Sequence, residues 1–361
     1  MNYRNAKLLA EEDIGETGTK TVEINVADII SRLTIVFAPT KSKHGMDSYA
    51  HKNISKIELV DGSDVLHSLD GGQNQALCIY DRKCPTMKSQ EEMTGVKEYS
   101  VFGIDFGRFL FDPVLALDPK RFKNLQLKIT WDENVSDTGV SVNGLEIWAE
   151  CFDEKVVTPM GFLSAKNFES WTLSAAGVYK YVDLPTDRVI RKMLIQGYLA
   201  GKEPWYQVIE AKLSEDNDKR IPFDLDLEDY QKVMRGVWTP VEEGLCGVCT
   251  SAAGNLFYVT PSEYMPIVNP TYLGDLGYVS ENDTWNRGGK FTPRCSGTTA
   301  FFMAKVFGYL PNHCFEFPFG DPQDPSDWYD VTKLGSLRLR LKSGSGTSGN
   351  VDTILQQLRK Y

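Results

Sequence analysis

The amino-acid sequence predicts an all-β protein built as two tandem eight-stranded jelly rolls, with a long loop insertion in the second. Three observations carry this prediction. Segments that alternate apolar and polar residues recur along the chain, punctuated by turn-forming residues. The same order of segments occurs twice. The spacing between the two copies changes once, as a single insertion requires.

The clearest repeated segments are RFKNLQLKITW at 121–131 and KLGSLRLRLKS at 333–343. Leu125, Leu127 and Ile129 alternate with polar residues, as do Leu337, Leu339 and Leu341. Period two is the pattern of a strand with one buried face and one wet face. Asp118 and Asp330 precede the two segments at an offset of 212, and Ile104–Gly107 corresponds to Phe317–Gly320 at 213. Earlier in each half, Ile30–Ile35 corresponds to Ile190–Ile195 at 160, and Ile57–Asp61 to Ala211–Glu215 at 154. Val65, Leu69 and Asp70 then correspond to Ile221, Leu225 and Asp226 at 156. An insertion of roughly 55 residues between Leu227 and Glu316 accounts for the jump, and self-similarity at a long period marks repeated structural units.

These correspondences divide the chain into an N-terminal arm (1–19), a first roll (20–155), a linker (156–184) and a second roll (185–361) with its insertion at about 227–316. Pro159, Gly161, Ala175–Gly177 and Pro185 give the linker its character. Asp61–Gly62, Gly71–Gly72, Asn143–Gly144 and Asp216–Asp218 read as turns, and Ser343–Gly349 as a hairpin loop. Two four-stranded sheets packed face to face make a jelly roll. Helical pattern is sparse, and Leu227–Arg235 and Ser296–Leu310 are its best candidates.

Composition narrows the function. A net charge of -10 argues against a nucleic-acid binder, because phosphate binding needs a positive surface. Met1–Gly18 shows no secretory signal, and no apolar run is long enough for a membrane-spanning helix. Seven cysteines leave at least one thiol without an intrachain partner, so folding in a reducing cytoplasm is expected.

Catalytic signatures are missing from the sequence. Four histidines (His44, His51, His67, His313) form no His-Glu-x-x-His pair, and neither a phosphate loop nor a Gly-x-Ser-x-Gly elbow occurs. Cys246 and Cys249 have the spacing of half a zinc site, with Cys295, His313 and Cys314 in the same half. A second spaced pair is lacking, so small unligated thiols are expected instead. The acidic stretches Glu215–Asp218 and Asp321–Asp330 lack the calcium-loop pattern and read as solvated turns. Arg338, Arg340 and Lys342 make one strand face cationic, which reads as a wet face, with an acidic neighbour as the alternative. The expected site inventory is therefore empty: no catalytic, cofactor-binding or metal residues, and no cofactor.

Two stretches resemble a known family. Ile54–Met87 (ISKIELVDGSDVLHSLDGGQNQALCIYDRKCPTM) resembles the early strands of double jelly-roll major capsid proteins of tailless icosahedral, internal-membrane-containing bacteriophages, the corticovirus-like group. Asp187–Asp226 is similar to the start of the second roll. The resemblance implies a non-enzymatic shell subunit of an icosahedral virion, made in the host cytoplasm and forming pseudo-hexagonal homotrimers. It implies as partners the neighbouring capsid trimers, penton and minor capsid proteins, and leaves open contact of the polar N-terminal segment with the internal viral membrane. No direct sequence-specific contact with nucleic acid is expected, and the second-roll insertion would project as a tower. The alternative is a secreted two-domain jelly-roll glycan binder or glycan-degrading enzyme, with Trp205, Trp238, Trp285 and Trp328 stacking on sugar rings. A fibrous attachment protein is a third reading.

Overall fold

A computed structural model describes residues 1–42, 50–84, 87–88, 91–135, 140–249, 256–270, 279–281, 288–295, 300–346 and 348–361. Alternating sequence becomes two sandwiches. In the first, the strands Tyr3–Asp13, Val140–Phe152, Ile30–Lys41 and Ser100–Asp105 lie side by side in that order. They face Thr17–Glu23, Leu125–Asp132, Ile54–Asp61 and Asp64–Leu69. Between the sheets, Leu33, Ile35, Phe37, Leu127, Ile129 and Ile147 form a core with essentially no solvent exposure.

The second sandwich repeats this plan. Gly161–Thr172, Asn350–Lys360, Ile190–Tyr198 and Cys314–Pro318 face Tyr179–Leu184, Leu337–Ser343, Val208–Glu215 and Arg220–Asp226. Its core includes Met193, Ile195, Leu213, Phe315, Leu339 and Leu341. Ile30 and Ile190 each open the strand that lies third in its sheet, and Leu125 and Leu337 each open the strand that lies second in the facing sheet. The residues paired by sequence similarity therefore occupy equivalent places. The side-chain period of two makes this possible, since a slip of one residue would turn each apolar set outward.

Several expectations are corrected. Residues 1–19 are no arm: Tyr3–Asp13 pairs antiparallel with Val140–Phe152, and Ala6, Leu8 and Leu9 rest on the first core. An edge strand keeps one face wet, so this segment looks polar in sequence. Nor is 156–184 a loose linker, because Gly161–Thr172 pairs with Asn350–Lys360 along its whole length and Tyr179–Leu184 pairs with the strand headed by Leu337. Asn143 and Gly144 lie inside a strand. The segment 344–349 is a connection between facing sheets, since the strands at its two ends belong to different sheets.

Helix assignments change as well. Leu227–Met234 (α2) is helical, capped by Asp226, whose carboxylate accepts from the backbone N–H groups of Glu228 and Asp229. Ala300–Pro311, expected within a helix, is a strand in which Phe302, Ala304 and Val306 alternate with exposed neighbours; residues 296–299 lie outside the described residues. The two glycines taken as a turn instead open helix α1, Gly71–Arg82. Asp70 accepts from the Gln73 N–H at 2.7 Å, and the Gln73 side chain accepts from the Asp70 N–H at 3.2 Å, a reciprocal capping box. Asp70 and Asp226, matched by sequence, are both helix N-caps.

Gly71 is required by a close approach. A Cβ there would lie 2.3 Å from the His51 carbonyl oxygen and 3.1 Å from Cβ of Ile54. Gly71→Ala is expected to lower stability by about 1–3 kcal/mol despite its better helix propensity. Urea denaturation checks this, and an unchanged or raised midpoint would show that the contact relaxes freely.

The excursion between α2 and Cys314 builds its own sheet. Pro261–Pro270, Ala300–Pro311 and Val241–Cys249 lie in order, and Glu91–Glu92 of the first half joins at the edge. Leu245, Phe257, Val259, Phe291, Phe302 and Val306 make a small separate core.

Candidate functional site

The strongest concentration of buried chemistry lies where the two sandwiches meet. Lys166 pairs in parallel with Ser68, joining one sheet of each sandwich into a continuous eight-stranded sheet. Ser164 Oγ donates to the Leu66 carbonyl at 2.5 Å across the join. Leu69, Leu77, Ala165, Leu194 and Ile354 pack as a cluster drawn from both halves.

Helix α1 lies over this join and carries Asp81 into the second sandwich. The Asp81 carboxylate accepts from Arg191 and Lys192 at 2.7 Å each and from the Gln356 amide at 2.9 Å. Lys192 also pairs with Glu316, whose other oxygen accepts from the Trp238 indole N–H at 3.1 Å. Arg191 donates to the Pro322 carbonyl at 2.9 Å and to Gln356 Oε1 at 2.7 Å. Burial alone would raise the Asp81 pKa, but attraction to Arg191 and Lys192 outweighs it and holds the carboxyl down at about 2. Tyr80 on the same helix donates to the Cys314 carbonyl at 2.7 Å, and Asn312 donates back to the Gly72 carbonyl at 3.0 Å. Buried charges tolerate such a position only when paired and hydrogen-bonded. The arrangement fixes the two sandwiches against each other. It presents no nucleophile beside a base.

The other residues singled out by sequence have structural places. Trp238 and Trp328 are buried, with the Trp328 indole N–H donating to the Asp321 carbonyl at 3.0 Å. Trp205 packs against the second core, and Trp285 lies outside the described residues. Neither buried indole offers a sugar platform. Cys78, Cys84, Cys151, Cys246 and Cys314 are not joined in disulfides. Among the described residues no group of three His, Cys, Asp or Glu side chains is placed to hold a metal ion. His313 is buried, its Nε2 3.1 Å from the Gly288 carbonyl, and Cys314 Sγ is 3.6 Å from the Asn312 carbonyl.

The cationic strand face finds its acidic neighbours within its own sheet. Arg338 donates to Asp183 at 2.7 Å, Lys342 to Glu210 at 2.5 Å and Arg340 to Asp224 at 3.4 Å. The acidic stretches are turns: the Asp216 carboxylate accepts from the Gly335 and Ser336 N–H groups, and those of Asp324 and Asp330 accept from Ser326 and Thr332.

No protein-family model and no curated protein sequence matches the chain. Solved structures do. The structure described as Sulfolobus Turreted Icosahedral Virus superposes with a TM-score of 0.61 at 10% identity, covering 99% of this chain and 90% of that one. The major capsid protein P2 from Bacteriophage PM2 gives 0.58 at 10% identity, covering 99% and 98%. A chain of the PBCV-1 virus capsid gives 0.57 at 10% identity, covering 99% and 93%.

The fold is a double jelly roll. The likeness runs over nearly the whole of both chains, and the two rolls and their shared sheet are read from the strand order. In this double jelly roll the junction is what sequence reasoning missed. Its only local signal was the Asp70–Gln73 capping box, which announces the helix that delivers Asp81.

Proposed function

We propose that the chain is the major shell subunit of an icosahedral virion, with three copies forming a pseudo-hexagonal tile. The carrying observation is the end-to-end match to structures described as major capsid protein and virus capsid, with 90–98% of their lengths covered. The rigid junction supports this reading. Two similar rolls locked in one continuous sheet make a two-lobed brick, and three bricks around a three-fold axis make six similar lobes. Closed symmetry of this kind avoids open-ended association.

Exposed apolar side chains supply material for lateral contacts. Phe109, Val156, Tyr181 and Met303 all stand in solvent on the isolated chain. Subunit interfaces of obligate assemblies commonly bury on the order of 2,000 Å² or more. The role is structural and non-enzymatic, the location is the virion shell, and the further partners in this reading are neighbouring trimers, penton and minor capsid proteins.

Light scattering on the purified protein tests the proposal. A trimer is expected at about micromolar concentration, together with six-lobed particles by electron microscopy. A stable monomer at that concentration, or measurable glycan cleavage, would overturn it.

A further inference from the structure

Two hollows open beside the Asp81 network, and their chemistry differs. The first is a cavity of about 280 Å³ whose walls include Ile79, Tyr80, Trp238, Val241, Tyr309 and Pro318. Of its three carboxylates, Asp81 and Glu316 are bound by Arg191, Lys192 and Trp238, and Asp321 accepts from the Gln323 N–H at 2.8 Å. The surface left for a guest is therefore largely apolar. Val237 stands at its edge, 68% exposed, whereas Ile79, Trp238 and Val241 are buried.

The second hollow, about 370 Å³, is lined by Arg32, Arg82, Lys83 and Arg108 against only Asp81 and Asp105. Two of these charges are already engaged: Arg108 is clamped by Asp112 and Asp81 by the second roll. Arg32, Arg82 and Lys83 then face the single carboxylate of Asp105. Arg82 binds it through Nε at 2.8 Å and Nη2 at 3.1 Å, and Arg32 binds it through Nε. Lys83 is exposed and has no ion-pair partner among the described residues. Glu150, opposite Arg32 on the next strand, accepts from Thr34 at 3.0 Å, and counting it still leaves a positive charge in excess. On a chain with a net charge of -10, this concave cationic spot is the reverse of the average surface.

Both hollows are lined by Asp81, Lys83 and Gln323, so they adjoin. An apolar chamber next to a cationic cleft matches a molecule with an anionic head and an apolar chain. Their volumes suit a small ligand, for which pockets of about 300–1,000 Å³ are usual. We propose that this junction binds a single-chain anionic amphiphile, its carboxylate or phosphate on Arg32, Arg82 and Lys83 and its chain against Ile79, Trp238 and Val241. Binding would bridge α1 of the first roll to the strands and excursion base of the second. The ligand can come free from solution or from a bilayer, and the chemistry at the site is the same.

Isothermal titration of the full-length protein with sodium decanoate is the test. Saturable binding is expected, with decanol, which lacks the charge, weaker by about tenfold or more. Lys83→Gln removes the unpaired cation without placing an anion at the C-terminus of α1, and Val237→Trp crowds the chamber edge; both sites are exposed, so the melting temperature is expected to change little. Each substitution is expected to weaken decanoate by about tenfold. Retention on phosphatidylglycerol vesicles as well assigns a bilayer lipid, whereas decanoate binding without vesicle retention assigns a free amphiphile. No saturation by about 1 mM, equal affinity in both variants, or vesicle binding without decanoate binding overturns the proposal.

Discussion

Asp81→Ala is expected to destabilise the protein by about 3–5 kcal/mol, the usual cost of removing one partner from a buried ion pair. Asp81, Arg191 and Lys192 side chains are only 4%, 1% and 2% exposed, so the two cations lose their shared partner in a poorly solvated place. Lys192 keeps Glu316 and Arg191 keeps two oxygen acceptors, but the two cations then face each other with one carboxylate fewer. The pair itself need not be more stabilising than a well-packed apolar substitute. What is expensive is the orphaned charge. Because the carboxylate belongs to the first roll and both cations to the second, the loss also weakens the coupling between rolls. Denaturant unfolding at fixed protein concentration should show a lower midpoint and a broadened or split transition. A shift under about 1 kcal/mol would show that the cations find other partners and that the network does not hold the rolls together.

A second large effect is expected from acid. His51, His67 and His313 are buried and neutral, and burial lowers the pKa of each: to about 3 for His67 and His313, and well below the ordinary value for His51. In the unfolded chain each would take up a proton near pH 6.5. Their contribution is thus fully present above that pH and is lost as pH falls below it, at about 1.4 kcal/mol per pH unit for each histidine. Three together give on the order of 4 kcal/mol per unit near pH 5. Glu98, Glu150 and Asp352, whose pKa values burial raises, take up protons first in the folded chain and offset part of this slope. Below about pH 4 the depressed Asp81 carboxyl adds a further loss, complete only near its folded value of about 2. Melting temperature between pH 7.5 and 5 is the measurement. A flat profile would contradict the assignment of three buried neutral imidazoles, and His67→Gln should remove about a third of the histidine slope.

The sequence alone determined the repeated plan. Alternation at Leu125–Ile129 and Leu337–Leu341, the pairing of Ile30 with Ile190, and the Asp70–Asp226 correspondence all reflect local requirements: which face of a strand is buried, and what caps a helix. Such requirements are written in neighbouring residues and can be read there. The edge strand Tyr3–Asp13 was obscured because a strand wet on one face and open on one edge needs few apolar residues. Helix α1 was obscured by its two glycines, which resemble a turn until the approach of the His51 carbonyl to Gly71 is seen. The junction could be decided only by tertiary structure. Asp81 meets Arg191 across 110 positions, and Lys192 meets Glu316 across 124. A buried charge takes its partner from whichever strand the packing places beside it, and no periodicity in the chain encodes that neighbour. The same holds for the paired hollows: the apolar one takes its walls from both rolls, and the cationic one, whose basic residues all come from the first roll, is set beside it only by the packing of the rolls.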